Sequence, residues 1–171
     1  MKEIGKHIIK RVRKGNVKAF EKLVQHYQQS VYNLCILLMG NEEKAEEIAN
    51  ETFLYVYAHM DDYFTEDKKF SIWLYQSMVC LTQEQFMECF STGEVNSAKG
   101  ILPLLQHVPF NKRVAVILET WYHLSDQEIS EVLHTTKSEV RTSIYQAREK
   151  LSEALKSMDS TEKENILFRI G

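Results

Sequence analysis

From Val17 to Met39 apolar residues return every three or four positions: Phe20, Leu23, Val24, Tyr27, Val31, Leu34, Cys35 and Leu38. That period lines one face of a long helix and leaves no room for strand alternation. Gly15-Asn16 stands before this run and Gly40-Asn41 after it. A glycine ends one helix and an asparagine caps the next, so the pairs read as punctuation. The following helix opens on Glu42 and Glu43, where the helix dipole favours negative charge. Its inward stripe is Ala45, Ile48, Ala49, Thr52, Phe53, Val56 and Tyr57, with Phe53 and Tyr57 in the core. "DDYFTEDKK" reads as a loop, and another apolar helix begins near Phe70, with Phe70 and Trp73 buried. Six glycines and two prolines in 171 residues fit this economy of breaks. The chain is therefore all-α.

"STGEVNSAKG", from Ser91 to Gly100, is small, polar and aperiodic, and reads as a flexible linker between two small helical domains. The expected division is 1–90, a linker at 91–104, a second domain at 105–156 and a tail at 157–171. In the second half a helix covers Arg113 to Tyr122. Ser125 and Glu128 then make an S-x-x-E capping box ahead of Ile129, Val132 and Leu133. Thr136 and Glu139 repeat the box ahead of Val140, Ile144, Ala147, Leu151 and Leu155. Two capped helices about three residues apart have a helix-turn-helix layout, which generic helical hairpins share.

Net charge is −3, yet the charges are segregated. Residues 1–22 carry eight Lys or Arg against two Glu, and residues 41–67 carry nine Asp or Glu against Lys44 alone. Such blocks suit a partner surface as well as a solvated one. Cys35, Cys80 and Cys89 form no CxxC pair, and Cys35 and Cys80 lie in apolar runs as reduced core residues, which implies a cytoplasmic chain. The basic amphipathic start has no signal-peptide core, and no apolar run reaches the ~20 residues of a membrane span. No Gly-rich phosphate loop, HExxH or paired nucleophile is present, so neither an enzyme nor a cofactor or metal site is expected. His26 and His59 read as surface or interface residues.

Three stretches in order carry a resemblance. "KGNVKAFEKLVQHYQQSVYNLCILLMGNEEKAEEIANETFLYVY" followed by "KKFSIWLYQ" resembles region 2 of bacterial sigma factors. "VPFNKRVAVILETWYHLSDQEISEVLHTTKSEVRTSIYQAREKL" resembles region 4. The family pattern runs A-E-D-x-x-Q-E-x-F, F-S-T-W-L-Y, then L-P-x-x-x-R, L-S-x-x-E-I-A and A-R-E-K-L. The small architecture is similar to the extracytoplasmic-function group of the sigma-70 family.

The resemblance implies a factor that brings core RNA polymerase to promoter DNA. Glu47, Asn50, Glu51 and Leu54 would dock on the clamp helices of the polymerase's largest subunit, with region 4 near the flap of the second-largest subunit. Tyr63, Phe64, Lys68, Lys69 and Tyr75 would meet the −10 element and its single strand, where each stacked base is worth roughly 1–3 kcal/mol. Thr136, Lys137, Ser138, Arg141, Thr142, Tyr145 and Arg148 would face the −35 element in the major groove. An anti-sigma factor is the further implied partner, and the nucleoid the place of action. Other readings are a sigma-like accessory protein and a helix-turn-helix regulator that acts without polymerase.

After "FSIWLY" the family continues with Arg, Asn, Asp and a basic run. Here Gln76, Cys80 and Glu84 take those places, and Gln85, Met87, Glu88 and Cys89 replace the basic run. Ser143 and Gln146 occupy two commonly basic positions of region 4. Fewer cations weaken phosphate attraction, most of all in region 2.

Overall fold

The computed structural model describes residues 3–65, 68–92 and 101–157, with side chains in 86–92 left aside. Among these residues the chain is helical throughout, without strands. The first domain holds α1 (Lys6–Arg13), α2 (Val17–Met39), α3 (Glu42–Ala58), α4 (Met60–Tyr63) and α5 (Phe70–Thr92). The second holds α6 (Leu102–Gln106), α7 (Phe110–Thr120), α8 (Asp126–Val132) and α9 (Lys137–Ser157).

The punctuation works as its chemistry demands. Gly15 and Gly40 adopt φ of 75° and 69°, a region that strains residues with a Cβ. The Asn16 and Asn41 side chains then accept from the N–H groups of Ala19 and Lys44, at 2.9 and 3.0 Å. Both capping boxes form as well. Ser125 and Glu128 cap α8, while Thr136 N donates to Glu139 Oε2 at 2.9 Å and Glu139 N donates to Thr136 Oγ1 at 3.2 Å.

The first core closes on Leu23, Tyr27, Val31, Leu34 and Leu38 of α2 against Ile48, Phe53 and Val56 of α3 and Phe70, Trp73 and Met78 of α5. Each such side chain contributes about 1.5–3 kcal/mol on burial. Tyr57 departs from the expected stripe. It is 40% exposed at the margin of the buried stripe, about 100° round the helix from the buried Val56, with its ring 4.7 Å from that of Phe20 on α2. The expected loop from Asp61 also departs, since its start is helical in α4. Met60 and Tyr63, three apart, share one buried face there. Cys35 is buried, and desolvation pushes its thiol up to about 12. Cys80, expected in the core, is exposed on α5.

The two halves pack on each other and share an apolar core. Residues 93–100, most of the expected linker, lie outside the described residues, and α6 begins inside its expected 91–104 span. The tail from 158 also lies outside them.

Arg113 of α7, which the sequence offered only as a motif position, is 1% exposed. Its guanidinium donates to Val108 O at 3.0 Å within its own domain and to Leu38 O, near the C-terminal end of α2, at 2.5 Å. Burial brings its pKa down to about 10, so it stays charged at neutral pH. Tyr122, beyond α7, donates its hydroxyl to Ser30 O of α2 at 2.6 Å.

Candidate nucleic-acid and polymerase interfaces

The outward face of α3 is open. Glu47, Asn50, Glu51 and Leu54 are all exposed, Leu54 at 66%. At 100° per residue they fall within about 100° of arc, opposite the buried stripe. Glu47 accepts from Lys44 Nζ at 2.8 Å and Glu51 from Gln85 Nε2 at 2.7 Å, surface contacts that a partner can replace. Asn50 lines a groove of about 370 Å³ between α2 and α3, with Val24, Gln28, Tyr32 and Phe53 among its walls. An apolar anchor, acceptors and a neighbouring groove suit a basic amphipathic helix.

The aromatic segment behaves differently. Tyr63 is buried, with its ring 5.2 Å from Phe70 and 5.6 Å from Trp73, and Phe64 is half-buried beside it. Tyr75 is 1% exposed; its hydroxyl bonds Ser30 Oγ at 2.7 Å and its ring meets Tyr122 edge-on at 5.3 Å. Desolvation pushes the Tyr75 phenol up to about 12. Tyr63 and Tyr75 are thus not available for stacking on bases in this arrangement. Tyr63 serves the region 2 core, and the second domain covers Tyr75. Lys68 and Lys69 remain at the surface. Lys68 Nζ donates to Gln76 Oε1 at 2.7 Å, and Lys69 Nζ reaches Glu128 Oε1 of α8 at 2.6 Å. Gln76 also bonds the His134 ring from the turn between α8 and α9. So α8 and its turn lie across α5 at the position where the family pattern carries Arg.

On α9, Val140, Ile144 and Ala147 are buried while Thr136, Lys137, Ser138, Arg141, Thr142, Tyr145 and Arg148 are all exposed, Tyr145 at 64%. The inward and outward sets therefore separate as expected. His134 takes a φ of 49° in the turn. Arg141 Nε pairs with Asp126 Oδ2 at 2.6 Å and Arg148 with Glu119 Oε2 at 2.7 Å, so two of the three outward cations have internal partners. The Thr135 hydroxyl, helped by Thr136, holds the Glu139 carboxyl down at about 2, which keeps the helix start capped across the working pH range.

This layout meets its counterpart in known proteins. Residues 23–83 match the model of Sigma-70 region 2, and residues 100–151 match Sigma-70, region 4. The chain belongs to the sigma-70 family. It is an RNA polymerase sigma factor of the extracytoplasmic-function type. The ECF RNA polymerase sigma factor SigW of Bacillus subtilis is 29% identical across 92% of this chain and 100% of its own. RNA polymerase sigma-H factor of Pseudomonas aeruginosa is 24% identical across 91% of this chain and 96% of its own. The fold is shared with CnrH in its complex with the cytosolic domain of CnrY, at a TM-score of 0.72, 19% identity, and 89% and 97% coverage of the two chains. RpoE from Bartonella quintana, in complex with the anti-sigma factor NepR, follows at 0.69, with 18% identity and 84% and 100% coverage.

Among the described residues, no group of three or more His, Cys, Asp or Glu could hold a metal ion, and no helix is long and apolar enough to cross a membrane. Sequence reasoning missed three contributors: Arg113, Tyr122 and the Gln76–His134 contact. Arg113 alone left a trace, as the arginine of the L-P-x-x-x-R pattern.

Proposed function

We propose that this sigma factor docks on core polymerase through Glu47, Asn50, Glu51 and Leu54, and that free in solution it holds its two domains closed. The observation that carries the reading is α8 lying across α5, pinned by Lys69–Glu128 and Gln76–His134. In that state the −10 face, with Tyr75 at its base, is covered. Polymerase would separate the domains, letting Phe64, Lys68, Lys69 and Tyr75 meet the opened strand and α9 enter the −35 groove. A partner shifts such an equilibrium only through its greater affinity for the open form. Binding and positioning, rather than bond chemistry, is the role, exercised in the cytoplasm. Two similar folds were determined with a bound partner, one of them an anti-sigma factor, which supports an anti-sigma partner for this chain as well.

Transcription with core polymerase across a library of genomic fragments is the direct test. Fragments that give transcripts only when the chain is present support the reading. The double change Glu51→Arg, Leu54→Ala should abolish most core binding with the helical circular dichroism intact; unchanged binding removes the docking assignment. Gln76 at the expected Arg position favours one second reading, an accessory role in which polymerase is bound but the promoter is not melted. Core binding without permanganate-reactive thymines at any promoter would select it.

A further inference from the structure

The basic N-terminus has no part in the surfaces above. Lys6, Lys10, Lys14, Lys18 and Lys22 stand four residues apart, and all five are exposed. Within α1 and its cap, the four-residue step puts Lys6, Lys10 and Lys14 on one exposed face, beside the buried stripe of Ile9 and Val12. None of the five meets a carboxylate among the described residues. Arg13, also exposed, instead pairs with Asp61 of α4 at 2.6 Å and lies 4.6 Å over the Phe64 ring. At the other end Glu3 accepts from the Ser71 hydroxyl at the start of α5, and Ile4 N donates to Tyr27 Oη at 3.2 Å. Helix α1 is therefore fastened on both sides, to Asp61 and Phe64 after it and to Ser71 and Tyr27 before it.

We propose that the Lys6–Lys10–Lys14 face binds the sugar-phosphate backbone of promoter DNA, extending the strand-binding surface of region 2. Three observations favour DNA over a protein partner. Helix α1 that carries the face packs, through Arg13, on Asp61 and Phe64 rather than on the acidic face of α3. The charge of the lysine face complements phosphate, and three lysines spaced about 6 Å apart along a helix can meet several phosphates at once. Helix α5 itself carries no Lys or Arg from Phe70 to Thr92, having Gln76, Glu84 and Gln85 among its residues. Cations for a phosphate backbone are therefore supplied by α1 and not by α5. Contacts of this kind fix position and affinity without reading sequence.

This inference rests on the sigma reading, and its test separates the two. The full chain and its K6Q/K10Q/K14Q variant are assembled with core polymerase on a fragment from which the unsubstituted holoenzyme transcribes. The same pair is titrated on a duplex of random sequence over a range of salt. The variant should bind core normally, melt at the same temperature, and hold the promoter about tenfold or more weakly, with the salt slope flatter by about two to three. A K6R/K10R/K14R variant should restore both. Unchanged affinity and slope overturn the assignment. So does a loss of core binding that accounts for the loss on DNA, since the face would then dock on polymerase. If no fragment is transcribed, the sigma reading and the inference fall together; if transcription succeeds and the variant matches the parent, the inference alone falls.

Discussion

The two surfaces expected to touch DNA differ in what holds them back. On α9 the outward residues are already in solvent, and Arg141 and Arg148 need only exchange a carboxylate for a phosphate or a base edge. On α5 the surface lies under another domain, and Tyr75 is buried to its hydroxyl. A duplex-reading surface can stand open because exposed polar groups cost nothing in water. A strand-stacking surface is aromatic, and left uncovered it would show water a large apolar patch. Covering it with the other domain answers that cost and, under the proposed closure, would make DNA opening conditional on domain separation.

The largest effect should come from the core of the open side. Val140→Ala removes two methyl groups from a small domain and should destabilise it by about 2 kcal/mol, lowering its melting temperature and loosening the cover on α5. If the melting curve is unmoved, α9 is not held as described. Arg141→Ala comes next, with a loss of roughly 1–3 kcal/mol and relaxed specificity on −35 DNA if the side chain reaches a base. Even weakening across sequences, with a salt slope flatter by about one, would make it a phosphate contact.

On the covered side, Tyr122→Phe deletes the hydrogen bond to the Ser30 carbonyl. At about 1 kcal/mol, the open fraction should rise about fivefold, read as faster proteolysis between the domains and tighter single-strand binding. Equal proteolysis of parent and variant would mean that the bond does not hold the closure. The smallest effect belongs to the exposed pair Lys69–Glu128. Lys69, then the Ser125 backbone, holds the Glu128 carboxyl below its usual range. That stabilisation is present above the usual carboxylate range and disappears as pH falls through the lowered value. Glu128→Gln should therefore flatten the acid side of a proteolysis–pH profile while changing neutral behaviour by well under 1 kcal/mol.

Much of this was legible before any coordinates. Gly15-Asn16, Gly40-Asn41 and both capping boxes bring donor and acceptor together within a few residues, so the letters alone locate α2, α3, α8 and α9. The exposed sets on α3 and α9 were legible for the same reason, since helical periodicity sorts inward from outward. Tyr63, Tyr75 and Cys80 were not. Periodicity says that a face is apolar but not what lies over it, and Tyr75 is covered by Tyr122, far along the chain. Arg113 was opaque on other grounds. A charged residue reads as surface, and its burial is made tolerable by oxygens of Leu38, Gln106 and Val108 that converge on it from distant parts of the sequence.

The glycine–asparagine junctions also have a consequence in time. They join α1, α2 and α3 through turns whose closing bonds span three or four residues, so little chain entropy is lost in forming them. The bonds that close the domains over one another span 59 residues for Lys69–Glu128 and 92 for Tyr122–Ser30. As the ribosome extends the chain from its N-terminus, α3 and α5 are complete while α8 has yet to be made. A newly made chain thus passes through an interval in which α8 does not yet lie over α5, and under the proposed closure polymerase that meets it then would have nothing to undo.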